Sequence, residues 1–198
     1  MKITILDYGA GNLTNISTFV EHRCGLRSEI VAAENLDTKK VEVLLIPGVG
    51  HYQDASLNLI NTGAREKIKA INNDKKPIIG ICLGAQLLLK GSEESEIKDT
   101  GIGILDGYCI HLSRHSAYDE KIPRVGWEEL MHKEETYYFV HSYCMVLKED
   151  CGYIINKCKS DDVTACVRYN NVLAMQFHPE KSGKNGKRVF LEFIEDNA

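Results

Sequence analysis

No stretch of this 198-residue chain stays apolar for the roughly 20 residues that a membrane-spanning helix needs. The opening Met1-Lys2-Ile3-Thr4-Ile5-Leu6-Asp7 turns polar too soon for a secretory leader. Basic runs are absent as well. The 24 Lys and Arg residues are scattered among 28 Asp and Glu, and the net charge of -4 offers no surface for nucleic acid or an acidic membrane. Close cysteine pairs are missing too: the seven Cys are odd in number and include no Cys-x-x-Cys, which excludes a disulfide framework. The compartment is read as reducing and cytoplasmic. His111 and His115 stand four apart without the glutamate of a metal-binding helix, and no metal is expected. Gly9-x-Gly11 lacks the third glycine of a dinucleotide fingerprint, since position 14 is Thr, and no cofactor is expected either. There are no internal repeats or low-complexity segments, and the whole of 1–198 is expected to fold as one domain.

What the chain does have is a recurrence of short apolar runs: Ile3–Leu6, Val43–Ile46, Ile78–Ile81, Ile102–Leu105, Tyr137–Val140, Tyr153–Ile155, Val163–Val167 and Val172–Phe177. Helix-like segments fall at Leu13–His22 and at about Asp54–Ile71, with a break near Gly63, and an amphipathic helix is expected over Lys184–Glu195. Strands that alternate with helices predict an α/β fold with a parallel sheet covered on both faces. The strand-rich second half predicts an antiparallel edge, and so a mixed, mostly parallel central sheet. The charged stretch Glu93–Asp99 reads as a solvated loop.

The chemistry concentrates in three places. In Gly80-Ile81-Cys82-Leu83-Gly84 a buried strand turns through a cysteine into a helix, and the flanking glycines let the two backbones converge, as in a nucleophile elbow. A helix beginning just after the thiol favours its anion. The bland alternative is a small buried cysteine. A cysteine nucleophile needs a histidine, and His178-Pro179-Glu180 is the best placed of the seven candidates. Pro179 forces His178 out of the helical region, and in an extended segment Glu180 projects to the same side as the ring. The alternative is an exposed His-Pro turn. Third, Pro47-Gly48-Val49-Gly50 after a strand can turn a backbone N–H toward a developing oxyanion, or can be a plain strand-to-helix turn.

Together with Gln176-Phe177-His178-Pro179-Glu180-Lys181-Ser182, these segments resemble the three signatures of class I glutamine amidotransferases, in order and spacing. Asp7-Tyr8-Gly9-Ala10-Gly11-Asn12, Val125-Gly126-Trp127 and Tyr138-Phe139-Val140-His141-Ser142-Tyr143 are similar to the glutaminase subunits of imidazole glycerol phosphate synthase, along nearly the whole chain. The resemblance implies a flavodoxin-like layered fold and a Cys82-His178-Glu180 triad that hydrolyses glutamine to glutamate and ammonia. It implies an oxyanion site at the Val49 and Leu83 N–H groups, and glutamine binding by Gly50, Gln86, His141, Ser142 and Tyr143.

It also implies a partner. Ammonia released into neutral water becomes ammonium and is no longer nucleophilic, so the family pairs the glutaminase with a synthase, here a (β/α)8 barrel cyclase of histidine biosynthesis, as a heterodimer. Asn12, Asn15, Trp127, Tyr138 and Lys181 match the face that meets the barrel, with Trp127 as anchor or, alternatively, as core packing. Biosynthetic members usually carry His and Asn where this chain has Arg124 and Glu128. Those charges are expected to alter partner choice, which raises the alternative of a sugar amidotransferase partner in surface-polysaccharide synthesis. A third alternative is a non-catalytic interaction module. A hinge is expected at Gly48-Val49-Gly50, where a peptide flip costs little.

Overall fold

Strands without a polar residue belong where both faces of a sheet are covered, and Val43–Ile46, Ile78–Ile81 and Val172–Met175 are buried at every position. The computed structural model describes residues 1–132, 134–149 and 151–197. In chain order the elements are β1 (Lys2–Asp7), α1 (Leu13–Thr18, continuing into a π turn over Phe19–Arg23), β2 (Arg27–Ala32), β3 (Val43–Ile46), α2 (Tyr52–Asn61) and α3 (Ala64–Asn73). There follow β4 (Ile78–Ile81), α4 (Leu83–Leu87), β5 (Gly91–Ser92), β6 (Gly107–His111), β7 (Arg124–Glu129), β8 (Thr136–His141) and β9 (Tyr143–Leu147). The chain closes with β10 (Ile154–Lys157), β11 (Thr164–Tyr169), β12 (Val172–Met175) and α5 (Gly183–Asp196).

Among the described residues the central sheet has seven strands in the order β10-β11-β12-β4-β3-β1-β2. Its five strands from β12 to β2 run parallel, and β11 and β10 add an antiparallel edge. One apolar cluster packs α1 and α5 on one face through Ile16, Phe19, Phe190 and Phe193; the other packs α2, α3 and α4 on the opposite face through Leu59, Ile68 and Ala85. This is the expected mixed α/β layer structure. A smaller sheet, β5-β6-β9, and the β7-β8 hairpin lie outside it. No helix of the described residues is long and apolar enough to cross a membrane.

Two expectations change. Ile102–Leu105 is no strand: its apolar side chains are mostly buried, but its backbone N–H groups cap the end of α4, Ile102 donating to Leu87 O at 2.7 Å and Ile104 to Leu88 O at 2.9 Å. The edge strand β2 carries the polar sequence Arg27-Ser28-Glu29-Ile30-Val31-Ala32 and so lacked an apolar run to betray it. The break near Gly63 is present, with Gly63 left-handed at φ 70° between α2 and α3.

Arg124 overturns a third expectation. It does not alter the surface charge next to Trp127, because its side chain points inward and pairs with the buried carboxylate of Asp161. Its guanidinium lies over the rings of Tyr118, at 4.9 Å, and Phe139, at 5.7 Å, and Nη1 approaches Cys158 Sγ at 3.1 Å. A buried pair of this kind is neutral from outside. Asp161→Ala leaves a cation uncompensated in the core and is expected to lower unfolding free energy by about 3–5 kcal/mol in a urea titration, with the Arg124→Met/Asp161→Leu double variant recovering most of it.

Candidate active site

The sheet register assembles the site. Parallel pairing sets Ile46 opposite Gly80, and Ile81 opposite Met175, so the segments that follow β3, β4 and β12 leave the sheet side by side at its carboxyl edge. Cys82 N–H donates to Met175 O at 2.7 Å, tying the elbow directly to the end of β12.

At the elbow Cys82 takes φ 51° and ψ -108°, a backbone conformation that a non-glycine residue enters only under constraint. The constraint is the crossing of α4 over β3. A Cβ on Gly84 would stand 1.9 Å from Ile46 O, and one on Gly48 would stand 2.6 Å from Gly84 N. Only glycines let these backbones touch. α4 is a single short helix of five residues, so what it offers the sulfur is free N–H groups of its first turn rather than a long dipole.

His178 is drawn in from the other side. Its backbone N–H donates to Tyr138 O at 2.9 Å, and its ring Nδ1 meets Glu180 Oε1 at 2.8 Å. His178 is extended as expected before proline, but the chain then makes one 3-10 turn over Pro179–Lys181, and it is this turn rather than a strand that carries Glu180 back to the imidazole. Both residues are nearly enclosed. Burial works against a charged ring, yet the nearby Cys82 sulfur and the hydrogen-bonded Glu180 carboxylate outweigh it and raise the His178 pKa to about 9. The three side chains therefore act on one another, with the ring held as imidazolium at neutral pH.

A cavity of 260 Å³ opens on one side of the sulfur, walled by Val49, Gly50, Cys82, Leu83, Gln86, Glu94, Val140, His141, Ser142 and Tyr143. All the residues expected to form the oxyanion and glutamine sites thus share one space. Gln86 donates both amide hydrogens inward, to Tyr143 O at 3.0 Å and to Gln176 Oε1 at 3.1 Å, so what it can offer a ligand is its oxygen. His141 gives its Nδ1–H to the same Tyr143 carbonyl at 2.8 Å. Burial, only partly offset by that bond, lowers the His141 pKa to about 4 and keeps the ring neutral. Ser142 O is also taken, by Leu112 N–H at 2.9 Å.

Glu94 was not expected here. The Glu93–Asp99 stretch is largely solvated, but Glu94 turns back, accepts the N–H of Tyr52 at the start of α2 at 3.0 Å, and lines the cavity. In sequence it is one carboxylate among several in a charged run, with no spacing that distinguishes it.

A second cavity of 170 Å³ shares Val49 with the first, and His178, Asn12, Asn15, Glu180 and Lys181 contribute to its wall. Trp127 is 54% exposed, which removes core packing as its role. Its ring meets Tyr138 edge-on at 5.7 Å, and Lys181 Nζ stands 5.3 Å from the other partner in this column, the Tyr138 ring. Asn12 is engaged locally, capping α1 through Oδ1 to Asn15 N–H at 3.1 Å. Under the Pro47–Gly50 turn, the buried Tyr8 hydroxyl donates to Pro47 O, while Val49 is 46% exposed and Gly50 sits at φ 129°.

A family model described as glutamine amidotransferase class-I matches residues 4–196. The imidazole glycerol phosphate synthase subunit HisH of Prochlorococcus marinus (strain MIT 9211) is 38% identical over 206 residues, covering 98% of this chain and 94% of the relative. HisH of strain MIT 9312 of the same species is 34% identical over 209 residues, covering 98% of each. Among solved structures, a crystal structure of a glutamine amidotransferase covers 98% of both chains with a TM-score of 0.77 at 19% identity. The PurLQS structure from Thermotoga maritima covers 100% of this chain and 99% of its match, with a TM-score of 0.73 at 19% identity. At those identities the two structures speak for the fold.

The pairing of His178 with Glu180 yields a titration test. Because the carboxylate raises the ring's pKa, Glu180→Gln is expected to move the His178 midpoint down from about 9 by roughly one to three pH units, read from imidazole NMR signals across the neutral to alkaline range. An unmoved midpoint would mean that the carboxylate does not govern the ring.

Proposed function

The chain belongs to the class I glutamine amidotransferases, and from that footing we propose that Cys82, His178 and Glu180 hydrolyse glutamine to glutamate and ammonia for a synthase partner. The observation that carries this reading is the convergence of the three side chains at the carboxyl edge of β4 and β12, next to a cavity ringed by backbone and amide groups.

The reaction follows from these positions. The Cys82 sulfur anion attacks the side-chain carbonyl carbon of glutamine, forming a C–S bond and an oxyanion that faces the Val49 and Leu83 N–H groups. The imidazolium of His178 gives its proton to the amide nitrogen as the C–N bond breaks, and ammonia leaves. The ring, now neutral, takes a proton from water, whose oxygen attacks the thioester; glutamate departs, and sulfur anion and imidazolium are restored. Glu180 holds the ring in line. For the amino-acid end of glutamine, the Gln86 oxygen and the Glu94 carboxylate are acceptors suited to the ammonium group. Backbone N–H groups of Gly50, Ser142 and Tyr143 are donors suited to the carboxylate.

The relatives named HisH are synthase subunits, and on their near full-length likeness we read this chain as the glutaminase subunit of imidazole glycerol phosphate synthase, a single domain working in the cytoplasm as a heterodimer with a (β/α)8 barrel cyclase. Trp127, edge-on to Tyr138, together with Lys181 over the Tyr138 ring and with Asn12 and Asn15 in the wall of the second cavity, supplies the docking face. A sugar amidotransferase partner loses half of what suggested it, because the charge of Arg124 is compensated internally by Asp161. Glu128 accepts from Ser160 Oγ at 3.1 Å, a neutral partner that leaves its charge in place.

Two measurements test this. With glutamine, the cyclase subunit and its ligand present, the wild-type chain should release glutamate and Cys82→Ala should release none while still binding the cyclase. Glutamate release by Cys82→Ala, or none by wild type, contradicts the assignment. Trp127→Ala should weaken binding to the cyclase subunit by about 2 kcal/mol or more, roughly thirtyfold in Kd by calorimetry. A change within twofold would remove Trp127 from the interface.

A further inference from the structure

One fully buried polar side chain at the site has no part in the scheme above. Gln176 is 0% exposed and sits where β12 ends, in the register that brings it alongside Cys82. An amide has a donor end and an acceptor end, and which one faces the sulfur follows from its neighbours. The Tyr143 carbonyl can only accept, so the Gln86 atom 3.0 Å from it is Nε2. That nitrogen lies 3.1 Å from Gln176, which must present its own oxygen to it. The nitrogen of Gln176 is thereby turned to Cys82, with Nε2 3.7 Å from Sγ. His141 steadies the start of this chain through its bond to the same Tyr143 carbonyl.

A sulfur anion offers lone pairs to an N–H, whereas a thiol must also place a hydrogen, and here the nearby acceptor for it is Val140 O at a long 3.8 Å. The enclosed amide therefore favours one form of the nucleophile over the other. We propose that Gln176 is a positioning residue for the nucleophile, holding Cys82 as the sulfur anion through its side-chain N–H while Gln86 keeps that N–H aimed. The chain runs on to the glutamine cavity. A ligand ammonium that binds the Gln86 oxygen polarises its N–H groups, and through Gln176 that polarisation strengthens the bond to the sulfur. The nucleophile is then best prepared when substrate is present. This proposal rests on the glutaminase reading for the use made of the sulfur, not for the orientation of the amide.

Peptide-resolved mass spectrometry of Cys82 alkylation by chloroacetamide, followed from acid to alkaline pH, reads the anion directly. Gln176→Glu, which sets a carboxylate against the sulfur, and Gln176→Met, which removes the donor, are each expected to slow alkylation at neutral pH about tenfold and displace the profile to higher pH. The alkaline plateau should stay within about twofold of wild type, which a merely loosened site would not preserve. Profiles that coincide with wild type in folded variants overturn the proposal. Should neither variant fold, Gln86→Met, which leaves Gln176 free to turn over, must displace the profile in the same direction, and an unmoved profile again overturns it. A wild-type chain that a glutamine-like chloroketone does not label, but whose chloroacetamide profile still depends on Gln176, retires the glutaminase reading and leaves this one standing.

Discussion

The site depends on the backbone contact between α4 and β3. With no side chain on Gly84 or Gly48, the first turn after Cys82 can lie directly on the end of β3 and the Pro47–Gly50 segment. From that contact follow the strained φ of Cys82, the approach of Leu83 to Gly48, and an elbow that remains bonded through the Cys82 N–H to β12. The parallel register supplies the rest. Three strands adjacent in the sheet, but far apart in sequence, deliver the Pro47–Gly50 turn, Cys82 and His178 to one edge.

Charge is managed differently at the site and away from it. His178 carries a proton against the cost of burial because two partners want it charged, Cys82 on one side and Glu180 on the other. His141, on the same strand end as the cavity wall, is left neutral because its one strong partner is a carbonyl. Two enclosed imidazoles thus end in opposite states, one charged, the other neutral and fixing a hydrogen-bond chain. Arg124 and Asp161 spend their charges on each other and brace β7 from beneath, which leaves the exposed face of that strand to Trp127.

The elbow was legible in sequence because its requirements are local: an apolar strand, a turn, a glycine two residues on either side and a short helix, all within a dozen residues. His178 and Glu180 were legible as a tripeptide whose proline restricts the ring's backbone, even though a 3-10 turn brings them together. What escaped depends on distance along the chain. Nothing near Arg124 announces a partner 37 residues away, so an arginine next to an exposed tryptophan reads as surface charge. Glu94 escaped because the direction of one carboxylate in a charged loop is set by the start of α2. Ile102–Leu105 has the composition of a strand and lies buried like one, but its hydrogen bonds go to the open end of α4.

The Tyr8 hydroxyl has a bearing on how the Pro47–Gly50 segment can move. With the carbonyl of Pro47 moored from below and Gly48 pressed against α4, the upstream end is a fixed pivot, while Gly50 downstream meets no such crowding. The room left to the segment lies at the peptide planes on either side of Val49, one link rather than a loop. The side chain of that link stands out toward solvent and lines both cavities, so a body that meets it from outside meets the walls of both at once.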